Sequence, residues 1–417
     1  MTPSANPHAN GQTRAQWTVL IAAFLGWMFD GLEQGVFPLV ARPALQDLLH
    51  VESDKEIGLW MGYITALFLV GAAGGGFPFG WLGDRVGRVR AMILSVLAYS
   101  LFTGCSYFAQ AAWQLGLFRF LAALGMGGEW SLGVALVMEC WPEKHRPLLA
   151  GAIGAAANVG FGLLGALGAI FNVTRGSWRW VMLAGAAPAL LTLFIARFVP
   201  ESRRWEESVK TGNSRPLREI FSPPLLRSTL LAIGFASIVL VGTWGSVQWL
   251  PAWADQLTQG RVHNAKGITQ MLCGLGAVLG CFIGSWIGGR MGRRPAYFIL
   301  CLASLISCAV LFRGIHEYGI AFLVLDLIVG STTAAFYGWL PLYLPELFPT
   351  RARATGQGLS YNSGRLIAAA GAIQMGRLLQ AYDGSYARAG ATITLVYALG
   401  LALIWLAPET KGKPLPD

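Results

Sequence analysis

The stretch GWLGDRVGR, Gly80 to Arg88, has the glycines of a tight turn set between two apolar runs, and it returns as SWIGGRMGR, Ser285 to Arg293, 205 residues later. A second segment, ECWPEKHR from Glu139 to Arg146, returns as ELFPTRAR from Glu346 to Arg353 after 207 residues, and PES at Pro200 returns as PET at Pro408 after 208. Three matches at nearly one shift, in a chain of 417 residues, point to two like halves. A hydrocarbon core about 30 Å thick needs about 20 apolar residues per helix, and twelve such runs flank these motifs. They span 17–40, 57–82, 91–110, 112–140, 147–173 and 178–199, then 228–253, 268–288, 296–312, 318–344, 354–379 and 389–406. The expected fold is therefore an all-α integral membrane protein, twelve transmembrane helices in two pseudo-symmetric six-helix bundles. A disordered tail is expected over 1–15, the first bundle over 16–199, a polar inter-domain loop over 200–227, the second bundle over 228–408 and a short tail over 409–417.

Composition agrees with that solvent. Apolar residues make up 54% of the chain, charged ones 12%, and 53 residues are glycine. The net charge of +10 would suit nucleic acid in a soluble protein. Here 20 of the 31 Lys and Arg fall in the segments on one side of the spans, against eight in those on the other, which is the bias that orients membrane proteins. The basic charge serves the inner leaflet, no nucleic-acid partner is expected, and both termini are expected in the cytoplasm, in a multi-pass plasma (inner) membrane protein. The six cysteines show no C-x-x-C spacing, and the five histidines lie outside the spans or at their ends. No disulfide framework, metal site or cofactor is indicated. Nucleophile elbows and phosphate loops are also missing, so no enzymatic chemistry is expected.

At Gly80, Gly83, Asp84, Arg85, Gly87 and Arg88 the chain resembles the major facilitator superfamily, whose loop signature lies between the second and third helices. PESRRW at Pro200 and PETKG at Pro408 resemble the endings of the two halves in sugar porters. GWMFDGLE (26–33), RFLAALGMGGEW (119–130) and YLPELFPTRARATGQG (343–358) are most similar to proton symporters for aromatic acids, sialate, nicotinate and monocarboxylates. The resemblance implies two rocking bundles with the substrate site between them.

The loop motifs also have a reading of their own. Asp84 near a neighbouring helix N-terminus would gain from its exposed amides and dipole. Glu139 and Glu346 can pair with Arg88 and Arg293, and such pairs must break when that side opens. Arg146, Arg290 and Arg353 complete the set of gate candidates. Gly289 stands where the first half has Asp84, so the latch of the second half is incomplete and the first should carry more of the coupling.

Charges within a bilayer are costly enough to need a partner, a watery cavity or a function. Asp30 and Glu33 share one face of the first helix. Asp30 with Arg119 resembles the titrating pair of proton-linked sugar porters. Glu129 follows Gly125, Gly127 and Gly128, which let another backbone come close; it is a further proton candidate. Arg365 has no counterpart in the first half, where alignment of NSGR with NVGF places Phe161. It is free to bind a substrate carboxylate in two-pronged fashion, unless Asp326 neutralises it. Tyr337, Tyr361, Asn362, Trp244, Gln248 and Trp27 could orient the ligand. The function expected is proton-coupled symport of a small organic anion by a monomer working through alternating access. A proton-independent facilitator of a sugar or neutral metabolite and a non-transporting sensor are the alternatives.

Overall fold

The computed structural model describes residues 7–51, 54–170, 173–210, 216–259, 261–262 and 264–416, and helix follows helix throughout them. The first half contains α1 (Pro7–Leu49), α2 (Asp54–Val86), α3 (Arg88–Cys105), α4 (Ala112–Met126), α5 (Glu129–Cys140), α6 (Arg146–Ile170), α7 (Trp178–Ala184) and α8 (Ala189–Phe198). Two short helices, α9 (Arg203–Lys210) and α10 (Pro216–Ile220), lie in the connecting segment. The second half contains α11 (Pro223–Gly245), α12 (Leu250–Thr258), α13 (Ala265–Met291), α14 (Arg293–Gly314), α15 (Ile320–Ala334), α16 (Phe336–Tyr343), α17 (Arg353–Ala381), α18 (Tyr386–Ile393) and α19 (Val396–Leu403). Because α1 starts at Pro7, residues 7–15 are helical rather than a disordered tail, and 1–6 lie outside the described residues.

Eleven stretches of the described helices are long and apolar enough to cross a membrane. The twelfth expected span is α17, whose 29 residues would reach about 43 Å at 1.5 Å each. It falls short on apolarity because it carries Gln357, Ser360, Asn362, Arg365, Gln374 and Arg377. Of these, Gln357, Ser360, Asn362 and Arg365 are buried, on a helix that packs against α2 of the other half as well as α11 of its own, whereas Gln374 and Arg377 are exposed.

The duplication extends to helix breaks. The span formed by α4 and α5 is interrupted at Gly127–Gly128, and that of α15 and α16 at Ala335; α7–α8 is interrupted between Gly185 and Pro188, and α18–α19 at Thr394–Leu395. Outward faces repeat as well. Leu94, Leu97 and Leu101 stand exposed on α3, as do Leu302, Ile306 and Val310 on α14. An exposed stripe of this kind at helical spacing is a liability in water and natural against acyl chains. The chain is an integral, multi-pass membrane protein.

The halves meet along α2 with α17 and α6 with α13. The hydrogen bonds of Arg88, Arg353 and Asp84 that join them lie at the end of the bundle that carries the α2–α3 and α13–α14 turns, and those of Asn158 and Asn362 lie deeper. That end is called the basic face below.

Candidate functional site

On the basic face the two turns are built alike. Gly87 and Gly292, at φ +110° and +106°, adopt left-handed backbone that favours glycine. Each begins a helix, α3 or α14, with no capping side chain of its own. Caps come from far along the chain. Glu201 accepts the N–H groups of Arg88 and Val89 at 2.9 and 3.0 Å, and Glu409 those of Arg293 and Arg294 at 2.9 and 3.0 Å. This is the physical content of the PES and PET endings: each places a carboxylate on four-fold unsatisfied amides at a positive helix end. Burial pushes the Glu201 carboxyl up despite those bonds. At Glu409 burial also works upward, but backbone N–H bonds from Arg293, Arg294 and Lys411 outweigh it and hold the carboxyl below its usual range.

Asp84 reaches the other half. It accepts the N–H of Thr355 at 2.8 Å, its hydroxyl at 2.5 Å and the N–H of Ala354 at 3.3 Å, while Arg88 donates to it at 2.6 Å. These are the first amides of α17, which has no cap side chain at Ala352. Arg88 also donates to Glu139 at 3.1 Å and to the Thr350 carbonyl at 2.8 Å, and Arg353 of the second half donates to Glu139 at 2.9 Å. Across the pseudo-axis, Arg293 holds Glu346 at 2.6 and 2.9 Å, within its own half. Arg146, which corresponds to Arg353, donates to Glu143 at 3.1 Å. Gly289 packs on Pro147, where an added Cβ would come within 2.6 Å. Pro147 corresponds to Ala354 and has no N–H, so the second side has lost the carboxylate and one of its donors together. Gly80 and Gly83 lie where a Cβ would press on Ala354 and Leu132, whereas the Arg85 and Arg290 guanidinium groups sit over Trp81 and Trp286.

Deeper in the bundle the intramembrane charges separate into two groups. Arg119 on α4 donates to the carboxylate of Glu33, a short contact, and to its carbonyl at 3.1 Å; Thr103 on α3 donates to the same carboxylate at 2.7 Å. The guanidinium lies over Phe68 at 4.6 Å and Phe37 at 5.7 Å. The partner of Arg119 is thus Glu33 and not Asp30. Glu33 is one methylene longer and lies three residues on, about 60° around the helix, which carries it toward α4. This group lies within the first half.

Asp30 is fully buried and neither carboxylate oxygen has a hydrogen-bond partner among the described residues. It lies within electrostatic reach of Glu129, Arg365 and Glu33. Glu129, at the start of α5, aims its equally unpartnered carboxylate at Gly26, one turn before Asp30, so closely that a Cβ there would lie 1.9 Å from the oxygen. The preceding glycines do bring α2 in: a Cβ at Gly127 would meet the Ala72 carbonyl at 2.0 Å. Beside the carboxylates an aromatic wall crosses between the halves. Trp27 and Trp130 approach at 6.4 Å, Trp130 stacks on Tyr361 at 4.3 Å, and the Arg365 guanidinium sits over Tyr361 at 5.1 Å. Asn362 donates to the Gly127 carbonyl at 3.0 Å and accepts from Arg365 at 3.0 Å, tying α17 to the α4–α5 break. Tyr337 faces Arg365, Tyr361 and Thr243. Trp244 follows Thr243 at the end of α11, and Gln248 is exposed beyond it.

Among the described residues no ion pair joins Arg365 to Asp326, which is buried beside Cys273 in the second half. The 207-residue shift maps Asp326 onto Arg119, a signal in the sequence that explains why it sits inside its own bundle. Trp130, Thr103 and Thr355 were not singled out by sequence reasoning. Glu201 and Glu409 were noticed only as parts of endings. A groove of about 590 Å³ between α1, α6 and α7–α8 touches Glu33 but is otherwise almost wholly apolar, with Leu167 and Trp180 exposed at its edge, and suits acyl chains rather than a polar ligand.

Among the described residues the arrangement places two carboxylates without hydrogen-bond partners and one guanidinium, beside aromatic side chains, at the junction of the two halves. Carboxyl groups of this kind can exchange protons, and a guanidinium can pair with an anion. A family model described as Major Facilitator Superfamily matches residues 19–372. A sialic acid transporter of Escherichia coli K12 is 27% identical over 84% of each chain, and a cis,cis-muconate transport protein of Acinetobacter baylyi is 28% identical over 85% of each. Among solved structures, a proton:xylose symporter bound to 6-bromo-6-deoxy-D-glucose superposes with TM-score 0.80 at 18% identity, covering 97% of this chain and 98% of that one.

Proposed function

The chain belongs to the major facilitator superfamily and is a transporter of organic metabolites, and from that premise we propose that it carries a small organic anion in symport with protons. The observation that carries the proposal is the meeting of Asp30 and Glu129, both buried without hydrogen-bond partners among the described residues, with Arg365 from the opposite half. Among the described residues, Arg365 is the cation whose charge acts on Asp30. A substrate carboxylate that takes the guanidinium bidentately withdraws that support. The carboxyl then takes up a proton, and anion and proton binding strengthen each other by the same factor. Trp27, Trp130 and Tyr361 offer apolar faces to the rest of the ligand. The Glu33–Arg119 pair holds α1 to α4 and leaves Asp30 free to titrate.

Relatives named for a sialic acid and for muconate support an organic acid as cargo. The sugar reading rested on the two sugar-porter endings, and capping of α3 and α14 accounts for those without reference to cargo. We place the basic face in the cytoplasm of a plasma membrane, with both termini there and a monomer as the working unit. The structure then corresponds to a carrier shut toward the cytoplasm. Uptake into proteoliposomes tests the proposal: an inward proton gradient should drive accumulation of a carboxylate, and Asp30→Asn should lose that drive while retaining exchange at equal concentrations. Gradient-driven uptake that survives in Asp30→Asn would remove Asp30 from the coupling.

A further inference from the structure

The duplication leaves one position on the basic face unmatched, and the structure surrounds it with cations. Asp84 supplies the start of α17 with a carboxylate; at the start of α6 the equivalent place has Gly289 against Pro147. Beside that contact lies a cavity of about 320 Å³, with Lys144 and Arg146 on the side of the first half and Arg293, Lys411 and Lys413 on the side of the second. Two carboxylates border it, and both are engaged: Glu346 by Arg293 and by the Thr410 hydroxyl at 2.6 Å, and Glu143 by one terminal nitrogen of Arg146 at 3.1 Å. Arg146 is only 4% exposed, and its Nε is buried with no acceptor among the described residues. Its counterpart Arg353 has Glu139 and the carbonyls of Pro345 and Pro416 to satisfy it. A helix N-terminus, a guanidinium short of an acceptor and several lysines together make an anion site. The excess of positive charge calls for a multiply charged ion rather than a monocarboxylate.

We propose that this cavity binds a small soluble phosphate dianion from the water on the basic face, in place of the missing carboxylate, and thereby holds the halves together there. Because its walls come from both halves, separation of the halves takes the site apart. The ion therefore binds only the closed arrangement and favours it by mass action. The site depends on neither the cargo nor the proton coupling argued above. A lipid phosphate has the same chemistry, and the experiment separates the two.

Hydrogen exchange of residues 148–152 and 283–289 is followed in the purified protein in neutral phosphatidylcholine nanodiscs, with millimolar inorganic phosphate or with chloride at equal ionic strength. Phosphate should slow exchange about tenfold or more, and the triple variant Lys144→Gln, Lys411→Gln, Lys413→Gln should lose that protection. Arg146→Lys, which keeps the charge and removes Nε, should weaken it. Equal exchange in the two salts, or protection that persists in the triple variant, overturns the proposal. Protection that appears only in nanodiscs containing phosphatidic acid, without response to inorganic phosphate, overturns the soluble ion in favour of a lipid.

Discussion

Substituting Asp84→Asn keeps the size of the side chain and removes its charge at the one place, among the described residues, where a carboxylate from the first half caps a helix of the second. Three donors from α17 converge on it, at 2.5, 2.8 and 3.3 Å, and Arg88 adds a fourth at 2.6 Å. An amide offers one acceptor oxygen, and its NH₂ would face donors. Hydrogen bonds to charged groups contribute about 1.5–3 kcal/mol each, and a carboxylate at a helix N-terminus about 0.3–2 kcal/mol. Two weakened bonds across the halves thus amount to roughly 2–4 kcal/mol, or about 30-fold to nearly 1,000-fold in the open population at about 1.4 kcal/mol per decade. Asp84 is 2% exposed, so solvent screening reduces this little. Ser285→Cys supplies a reporter: Ser285 is buried on α13 where Gly151 of the first half packs on it. Labelling of the introduced thiol by a membrane-impermeant maleimide, read by mass spectrometry of that peptide, should speed up by a factor in this range when Asp84→Asn is added. A labelling rate within about twofold of the Asp84 protein would refute the argument that this carboxylate holds the halves closed.

Arg365→Ala should weaken binding of the anionic substrate by about 2–5 kcal/mol, with Arg365→Lys recovering only part, as measured by calorimetry; binding within threefold of the unmodified protein would make Arg365 part of the scaffold. Glu33→Gln leaves the buried Arg119 charge without its counter-charge and should cost up to about 3–5 kcal/mol of stability, whereas Glu33→Leu with Arg119→Met should recover much of it in thermal melting. Gly289→Ala presses a methyl toward Pro147, where the clearance is 2.6 Å, and should raise labelling at the same thiol less than Asp84→Asn does. The depressed Glu409 carboxyl contributes stability that is present above the ordinary glutamate value of about 4.3 and is lost as pH falls through its folded value. Melting of the Glu409→Gln variant should therefore lie below that of the unmodified protein at neutral pH, and the difference should close in acid.

Much of the architecture was legible because it is written twice. The motif repeats separated by 205 to 208 residues place turns, gates and endings without any three-dimensional information, and apolar runs of membrane length do the rest. The α17 span shows where a hydropathy threshold falls short, since Gln357, Ser360, Asn362 and Arg365 lower its apolarity and are buried against protein. The candidate site was harder to read. Sequence spacing puts Asp30 and Glu33 on one face of α1 but cannot say which of them reaches α4, because that turns on one methylene and about 60° of rotation. Arg365 as the unpaired cation could be read from its lack of a counterpart, and Asp326 could have been removed as its partner by the shift that maps it onto Arg119. The stack of Trp130 on Tyr361 joins two halves far apart in the chain, and no local pattern announces it.

The central claim is that anion and proton travel together through Asp30, and an external pH electrode tests it most directly. A carboxylate found by thermal-shift screening is added to proteoliposomes whose membrane potential is clamped. The account predicts alkalinisation outside as the anion enters, absent with Asp30→Asn and with Arg365→Ala. Uptake of the anion with no change in external pH, at the same rate in acid and in alkaline medium, would contradict it.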